Sequence, residues 1–133
     1  MNFLFSAHSG LRYLVLLAAL AAIVMLAYSV ATGRSIRPSR ILANSFAGLL
    51  DLQIVLGIGL VMGGIYTDAV TGHLMLMLLA AIVTHAAFVI GQQMSNDRRE
   101  LAVRLGGIVL ALIVIAAGIM AIGQSILGSS TLR

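Results

Sequence analysis

Four long apolar runs separated by short polar stretches form the main pattern of this chain. The runs cover about residues 11–32, 41–64, 73–92 and 101–123, and the stretches between them hold most of the charges. Each run is long enough to cross roughly 30 Å of hydrocarbon as a helix that rises about 1.5 Å per residue. The pattern predicts an all-α membrane protein, a four-transmembrane-helix bundle that forms a single domain over residues 1–133.

The composition supports a membrane environment. Hydrophobic residues make up 61% of the chain and charged residues 9%, and the mean hydropathy is +1.12. A soluble domain carries about a quarter charged residues, so this chain has too few polar side chains to cover its surface. The absence of cysteine excludes disulfides, thiolate metal sites, iron–sulfur clusters and covalently attached haem.

The placement of arginine predicts the orientation of the helices. All eight basic residues are arginine, and the net charge is +4. Most lie in or beside the first and third connections: Arg34, Arg37, Arg40, Arg98, Arg99 and Arg104. Only Arg12 and Arg133 lie toward the termini, so we expect both termini outside and the arginine-rich connections in the cytoplasm. No basic stripe with interleaved aromatic residues is present, which argues against a nucleic-acid partner.

The sequence also matches itself at a fixed shift. LAAIV at 20–24 recurs at 79–83, which is 59 residues later, and the same shift places Gly48 on Gly107. Two similar hairpins in the same orientation, a parallel repeat, would produce this match. Coincidence within a composition dominated by a few apolar residues is the alternative.

Asp51 and His85 are the ionisable residues nearest the middle of the predicted helices. Their depths from the arginine-rich end agree within about one helical turn, and Gln53 lies near the same level. An ionisable group inside a membrane usually faces the bundle interior with a partner. We therefore expect Asp51 and His85 to form a hydrogen-bonded pair. This pair would be either an interhelical packing contact or a site that, with Gln53, carries protons or tunes a cofactor.

Two further histidines lie near the outer ends of the helices. His8 precedes the first predicted span, His73 opens the third, and Arg12 follows His8 by one turn on the same helical face. Histidines on different helices of a bundle often hold b-type haem, and the planar fork of arginine matches a haem propionate. Histidines at the headgroup level without any ligand are the alternative. About 18 Å of helical rise separates His73 from His85, which places those two at different sites.

Short motifs along most of the chain resemble those of a known family. The motifs are HSGLRY at 8–13, DLQIVLG at 51–57, and His73 followed by His85 in the third apolar run. Together they resemble small bacterial four-helix membrane proteins described as cytochrome b-like or b561-like.

The resemblance implies a single b-type haem, or none, with His8 and His73 as the ligands of the iron. It also marks Arg12 and His85 as cofactor-binding candidates. Asp51 stands where the family has a histidine, so a second haem is not expected. The family further implies a multi-pass protein of the bacterial inner (cytoplasmic) membrane.

Three functions fit these features. The first is an integral membrane b-type cytochrome-like protein that transfers electrons, with a quinone or a redox partner protein. The second is a structural or assembly subunit of a membrane complex without a cofactor, and the third is a small proton-coupled transporter that uses Asp51. The lipid bilayer is a partner in each case, and a homodimer or a larger membrane complex is compatible with all three.

Overall fold

The computed structural model describes residues 1–34 and 37–123, which contain helices and turns but no strands. Four helices follow one another: α1 (Asn2–Thr32), α2 (Arg37–Met62), α3 (Asp68–Gln92) and α4 (Asp97–Ala121). They contain 31, 26, 25 and 25 residues, and each is long and apolar enough to cross a membrane. The expected all-α architecture with four membrane-spanning helices is therefore confirmed.

Each helix begins before its predicted apolar run, whereas none ends after it. α1 begins at Asn2 rather than near 11, α3 at Asp68 rather than near 73, and α4 at Asp97 rather than near 101. Apolar length marks the part of a helix that crosses hydrocarbon, whereas a polar first turn continues the same helix beyond it. As a result His8 and His73 lie inside helices, whereas the apolar runs predict them at or before the starts of the spans.

Local side-chain chemistry sets the helix ends. Thr67 caps α3 by accepting a hydrogen bond from the backbone N–H of Val70 at 3.2 Å, and Asn96 caps α4 by accepting one from Arg99 at 3.2 Å. These bonds satisfy backbone donors that have no partner within the first turn of a helix. Gly33 ends α1 with a φ of 69°, a left-handed conformation that glycine adopts without strain.

The helices form a bundle of two hairpins. α1 packs along α2 and α3 packs along α4, while α1 also contacts α4 and α2 also contacts α3. α1 and α3 occupy opposite corners, and their described backbones do not approach each other. Several fully buried positions are alanine, which lets helices pack closely in a membrane: Ala19, Ala22, Ala43, Ala80 and Ala111.

This arrangement is compatible with two hairpins in a parallel repeat. The repeat itself and the outward orientation of both termini stay predictions from the sequence. Arg133, one of the two arginines near the termini, lies outside the described residues.

An ion-pair network joins α2 to α4 at the arginine-rich end of the bundle. Arg40 donates to both carboxylate oxygens of Glu100, at 2.8 and 3.2 Å, and Arg104 donates to Glu100 at 3.1 Å and to Asn44 at 3.1 Å. The side chain of Arg104 is 4% exposed, and its guanidinium carbon lies 4.7 Å from the ring centroid of Phe88. Two of the arginines used to predict orientation therefore also hold the helices together.

Candidate functional site

His8 of α1 is held against α2 by two reciprocal hydrogen bonds. Its Nδ1 lies 3.1 Å from the backbone oxygen of Gln53, and Gln53 Nε2 donates to the backbone oxygen of His8 at 2.8 Å. Because a carbonyl oxygen only accepts, His8 Nδ1 carries the proton in this contact and Nε2 keeps its lone pair. Gly57, one turn along α2, leaves room for the ring, since a Cβ there would lie 3.2 Å from His8 Cε1.

His73 of α3 makes the corresponding contact in the second hairpin. Its Nδ1 lies 2.8 Å from the backbone oxygen of Gly118 in α4, so its Nε2 also keeps a lone pair. A Cβ on Gly118 would lie 3.4 Å from His73 Nδ1 and 2.6 Å from Met77 Cε. In both hairpins a histidine of the first helix is thus oriented by a carbonyl of the second helix, beside a glycine.

The two oriented histidines meet across the diagonal of the bundle. Their ring centroids lie 6.4 Å apart and their planes are inclined by 84°. His8 and His73, which the sequence places near the same end of the bundle, therefore approach each other although α1 and α3 occupy opposite corners. A hydrogen bond from Nδ1 to a carbonyl is the contact that commonly fixes the tautomer and ring orientation of a metal-bound histidine.

An apolar cavity of about 110 Å³ lies beside the histidine pair. His8, His73 and Gln53 supply the polar part of its wall, and Met77 supplies a thioether. The remaining wall is apolar: Phe5, Ile54, Gly57, Leu60, Val61, Ile65, Val70, Leu74 and Ile122. Gln53 is 7% exposed, and its Oε1 is buried without a hydrogen-bond partner among the described residues.

Arg12 lies one turn beyond His8 in α1 and is 8% exposed. Its guanidinium donates to the hydroxyl of Tyr13 at 2.9 Å and lies 4.8 Å from the centroid of that ring. Arg12 is not part of the cavity wall. It therefore stands near the histidine pair along the helix while being held by a neighbouring aromatic side chain.

Asp51 and His85 form a separate pair on the outside of the bundle. His85 Nε2 lies 2.9 and 3.0 Å from the two carboxylate oxygens of Asp51, which confirms the expected contact. The side chains are 48% and 52% exposed, however, so the pair faces outward rather than into the interior. His85 does not join His8 and His73 at the cavity.

Gln53 belongs with His8 rather than with the Asp51 pair. Side chains two positions apart in a helix differ in direction by about 200° around its axis, so the side chains at 51 and 53 point to opposite sides of α2. Equal depth along the helix, on which the expected grouping of Gln53 with Asp51 rested, does not distinguish these directions. The helix therefore carries an outward ionisable group and an inward amide at nearly the same level.

Sequence reasoning did not identify the groups that orient the histidines. Gly57 occurs in the DLQIVLG motif, and its spacing of four residues from Gln53 places both on one helical face. That spacing is a signal for a shared contact, but it does not name His8 as the partner. Gly118 carries no comparable signal, because its contribution is a backbone oxygen.

Comparison with protein-family models, with curated proteins and with solved structures finds no match to this chain.

Proposed function

We propose that this chain is an integral membrane b-type cytochrome-like protein that transfers electrons, and that His8 and His73 would hold one haem. The supporting observation is the 6.4 Å between their ring centroids. An imidazole nitrogen lies about 2.0–2.1 Å from a bound metal and about 1 Å from its own ring centroid, so two imidazoles on opposite sides of one metal have centroids about 6 Å apart. The two histidines thus have the separation that a bis-imidazole site needs.

The hydrogen bonds of the two rings support the same role. Each ring donates Nδ1–H to a backbone oxygen, of Gln53 in one hairpin and of Gly118 in the other. This tautomer leaves Nε2 as the nitrogen with a free lone pair, which is the form that binds a metal. Both rings would therefore already be in the tautomer that coordination requires.

The charge of the site favours a haem over a bare metal ion. No aspartate or glutamate occurs in the described cavity wall, and the described residues contain no group of three or more histidine, cysteine, aspartate or glutamate residues suited to a metal. A divalent cation buried among neutral groups carries a large desolvation cost. The porphyrin dianion balances the charge of ferrous iron, so a haem needs no protein carboxylate.

The walls of the cavity suit an apolar macrocycle, although the cavity is smaller than a porphyrin. Binding would require apolar side chains of its wall, such as Phe5 and Ile65, to move aside. Arg12 would hold a propionate with its guanidinium. When bound, haem supplies reversible one-electron transfer. The protein would keep the imidazoles in the ligand tautomer and exclude water with the aliphatic residues around them.

The motif resemblance supports the same function and suggests its setting. The cytochrome b-like family implies electron exchange with a quinone or a redox partner protein in the bacterial inner membrane. With both termini outside, the histidine pair would lie toward the outer leaflet. Asp51 and His85 would lie closer to the middle of the membrane.

Absorption spectroscopy of the purified protein tests the proposal. The protein is expressed in a haem-sufficient bacterial host, purified in mild detergent and analysed as the pyridine haemochrome. We expect a Soret band that shifts on dithionite reduction, its loss in His73→Ala, and its retention in His85→Ala. The last variant removes the same side chain from the third helix outside the site, so it controls for general destabilisation.

Other results would support the alternative functions. A folded protein that binds no haem at excess haemin and co-purifies with a larger membrane complex would indicate a structural or assembly subunit. Substrate-dependent proton release that disappears in Asp51→Asn would indicate a transporter. Either result would contradict the proposed electron carrier.

A further inference from the structure

We infer that the outer face of α2 around the Asp51–His85 pair is the contact surface between two copies of this chain. This surface is separate from the cavity beside His8 and His73, so its role does not depend on haem. Both side chains are about half exposed, at 48% and 52%, in the middle part of helices that are long enough to span a membrane. An ionisable pair in contact with hydrocarbon is costly, so a membrane protein normally covers it.

The pair is complementary to a second copy of itself. Asp51 and His85 lie at the same depth because they are hydrogen-bonded to each other. A two-fold axis along the membrane normal would place the Asp51 of each copy opposite the His85 of the other. His85 Nε2 contacts its own Asp51, and Nδ1, which makes no hydrogen bond among the described residues, would contact the carboxylate of the other copy. The resulting cluster would place each imidazole between two carboxylates, so every carboxylate has a hydrogen-bonding partner on both chains.

Two glycines on the same face indicate close approach from outside the bundle. Gly48, Val55 and Gly59 lie within about 80° of Asp51 around α2. A Cβ on Gly48 or Gly59 would meet nothing within 4 Å, so packing inside one chain does not require glycine at either position. Glycine is less favourable than alanine within a helix. Small residues on the surface of a membrane helix allow another helix backbone to approach.

Cysteine crosslinking in membranes tests the surface, because the chain has no cysteine of its own. Val55→Cys probes the α2 face, and Ile113→Cys on α4 is the matched control, since the two residues are 63% and 61% exposed. With a short thiol-specific crosslinker in phosphatidylethanolamine–phosphatidylglycerol vesicles, we expect about ten times more covalent dimer through Val55→Cys than through Ile113→Cys. Equal yields at the two positions would overturn the proposal.

Substitution of Gly48 separates the dimer from the fold of one chain. Gly48→Leu fills space that is open in the single chain, so the protein should remain folded while the Val55→Cys crosslink is lost. Gly106→Leu, at another glycine with open surroundings, should leave the crosslink unchanged. A crosslink that survives Gly48→Leu would contradict close packing through this face. The crosslink should also survive His73→Ala, so its loss and the loss of haem are distinguishable.

Charge exchange between copies tests the role of the ion pair itself. In Asp51→His the pair becomes two histidines, and in His85→Asp it becomes two carboxylates. Differently tagged chains carrying one change each should form mixed dimers in excess of random pairing, because carboxylates and imidazoles then meet only between copies. Random pairing of the two variants would overturn the proposed charge complementarity. Recovery of an unrelated protein on this face in place of a second copy would also overturn the proposal.

Discussion

The ring centroids of His8 and His73 lie 6.4 Å apart. The Nδ1 atom of each ring is hydrogen-bonded to a backbone oxygen of the next helix along the chain. The two rings come from helices at opposite corners of the bundle, so the space between them is bounded by α2 and α4. Glycines on those helices, Gly57 and Gly118, lie against the rings. The bundle thus brings two similarly oriented histidines together at an apolar cavity.

Loss of the Gln53 side chain should weaken cofactor binding. Gln53 Nε2 donates to the backbone of His8 at 2.8 Å, so Gln53→Leu removes one of the two bonds that fix this turn of α1 against α2. Groups that orient a metal-bound histidine typically contribute about 10–100-fold to affinity, and we expect a loss near the lower end because the backbone bond to Nδ1 remains. Haemin titration measures the change. Gln93→Leu makes the same substitution outside the site and should leave the affinity unchanged; an equal loss in both variants would contradict this role.

A larger side chain at Gly57 should displace His8. The ideal Cβ at this position already lies 3.2 Å from His8 Cε1, so the branches of Gly57→Val would force the ring away from α2. Overpacking of this kind costs about 1–3 kcal/mol, and we expect haem binding to fall with it. Gly106→Val is the control, because a Cβ there meets nothing within 4 Å. Retention of haem and of thermal stability in Gly57→Val would show that the ring does not depend on this contact.

The stability of the fold should depend strongly on Glu100 and only weakly on Asp97, the two carboxylates of the arginine network. Glu100 accepts from Arg40 and from Arg104, whereas Asp97 contacts Arg40 at 3.3 Å and is 68% exposed. Removal of one partner of a buried ion pair costs about 3–5 kcal/mol, so Glu100→Ala should lower the free energy of unfolding by about 3 kcal/mol. Asp97→Ala should cost less than about 1 kcal/mol, since exposed pairs contribute little. Unfolding in mixed micelles with SDS measures both values, and similar costs would be inconsistent with the observed difference in burial.

The sequence predicts the elements of this fold well because apolar length is a direct requirement of the bilayer. It also predicts the Asp51–His85 contact, since two ionisable groups at equal depth in a membrane tend to pair. It does not predict that the pair faces outward, because depth carries no information about direction around the helix. For the same reason, equal depth predicts Gln53 beside Asp51, whereas the structure places it beside His8.

The supporting contacts of the histidine site lie beyond what the sequence can show. His73 is oriented by the backbone oxygen of Gly118, and every residue has such an oxygen, so residue type gives no indication of it. Likewise, the burial of Arg104 depends on where Glu100 and Asn44 lie in space, whereas its position in the chain indicates only a membrane boundary. Such contacts become visible only when helix packing is known.

Low-temperature electron paramagnetic resonance of the ferric protein tests the haem ligation most directly. If His8 and His73 hold the haem iron, the wild-type protein should show the low-spin signal of a bis-imidazole haem. His8→Gly should convert it to a high-spin signal, and free imidazole, entering the space that the side chain leaves, should restore the low-spin form. A low-spin signal that persists in His8→Gly without imidazole, or a wild-type protein that takes up no haem, would contradict ligation by this histidine pair.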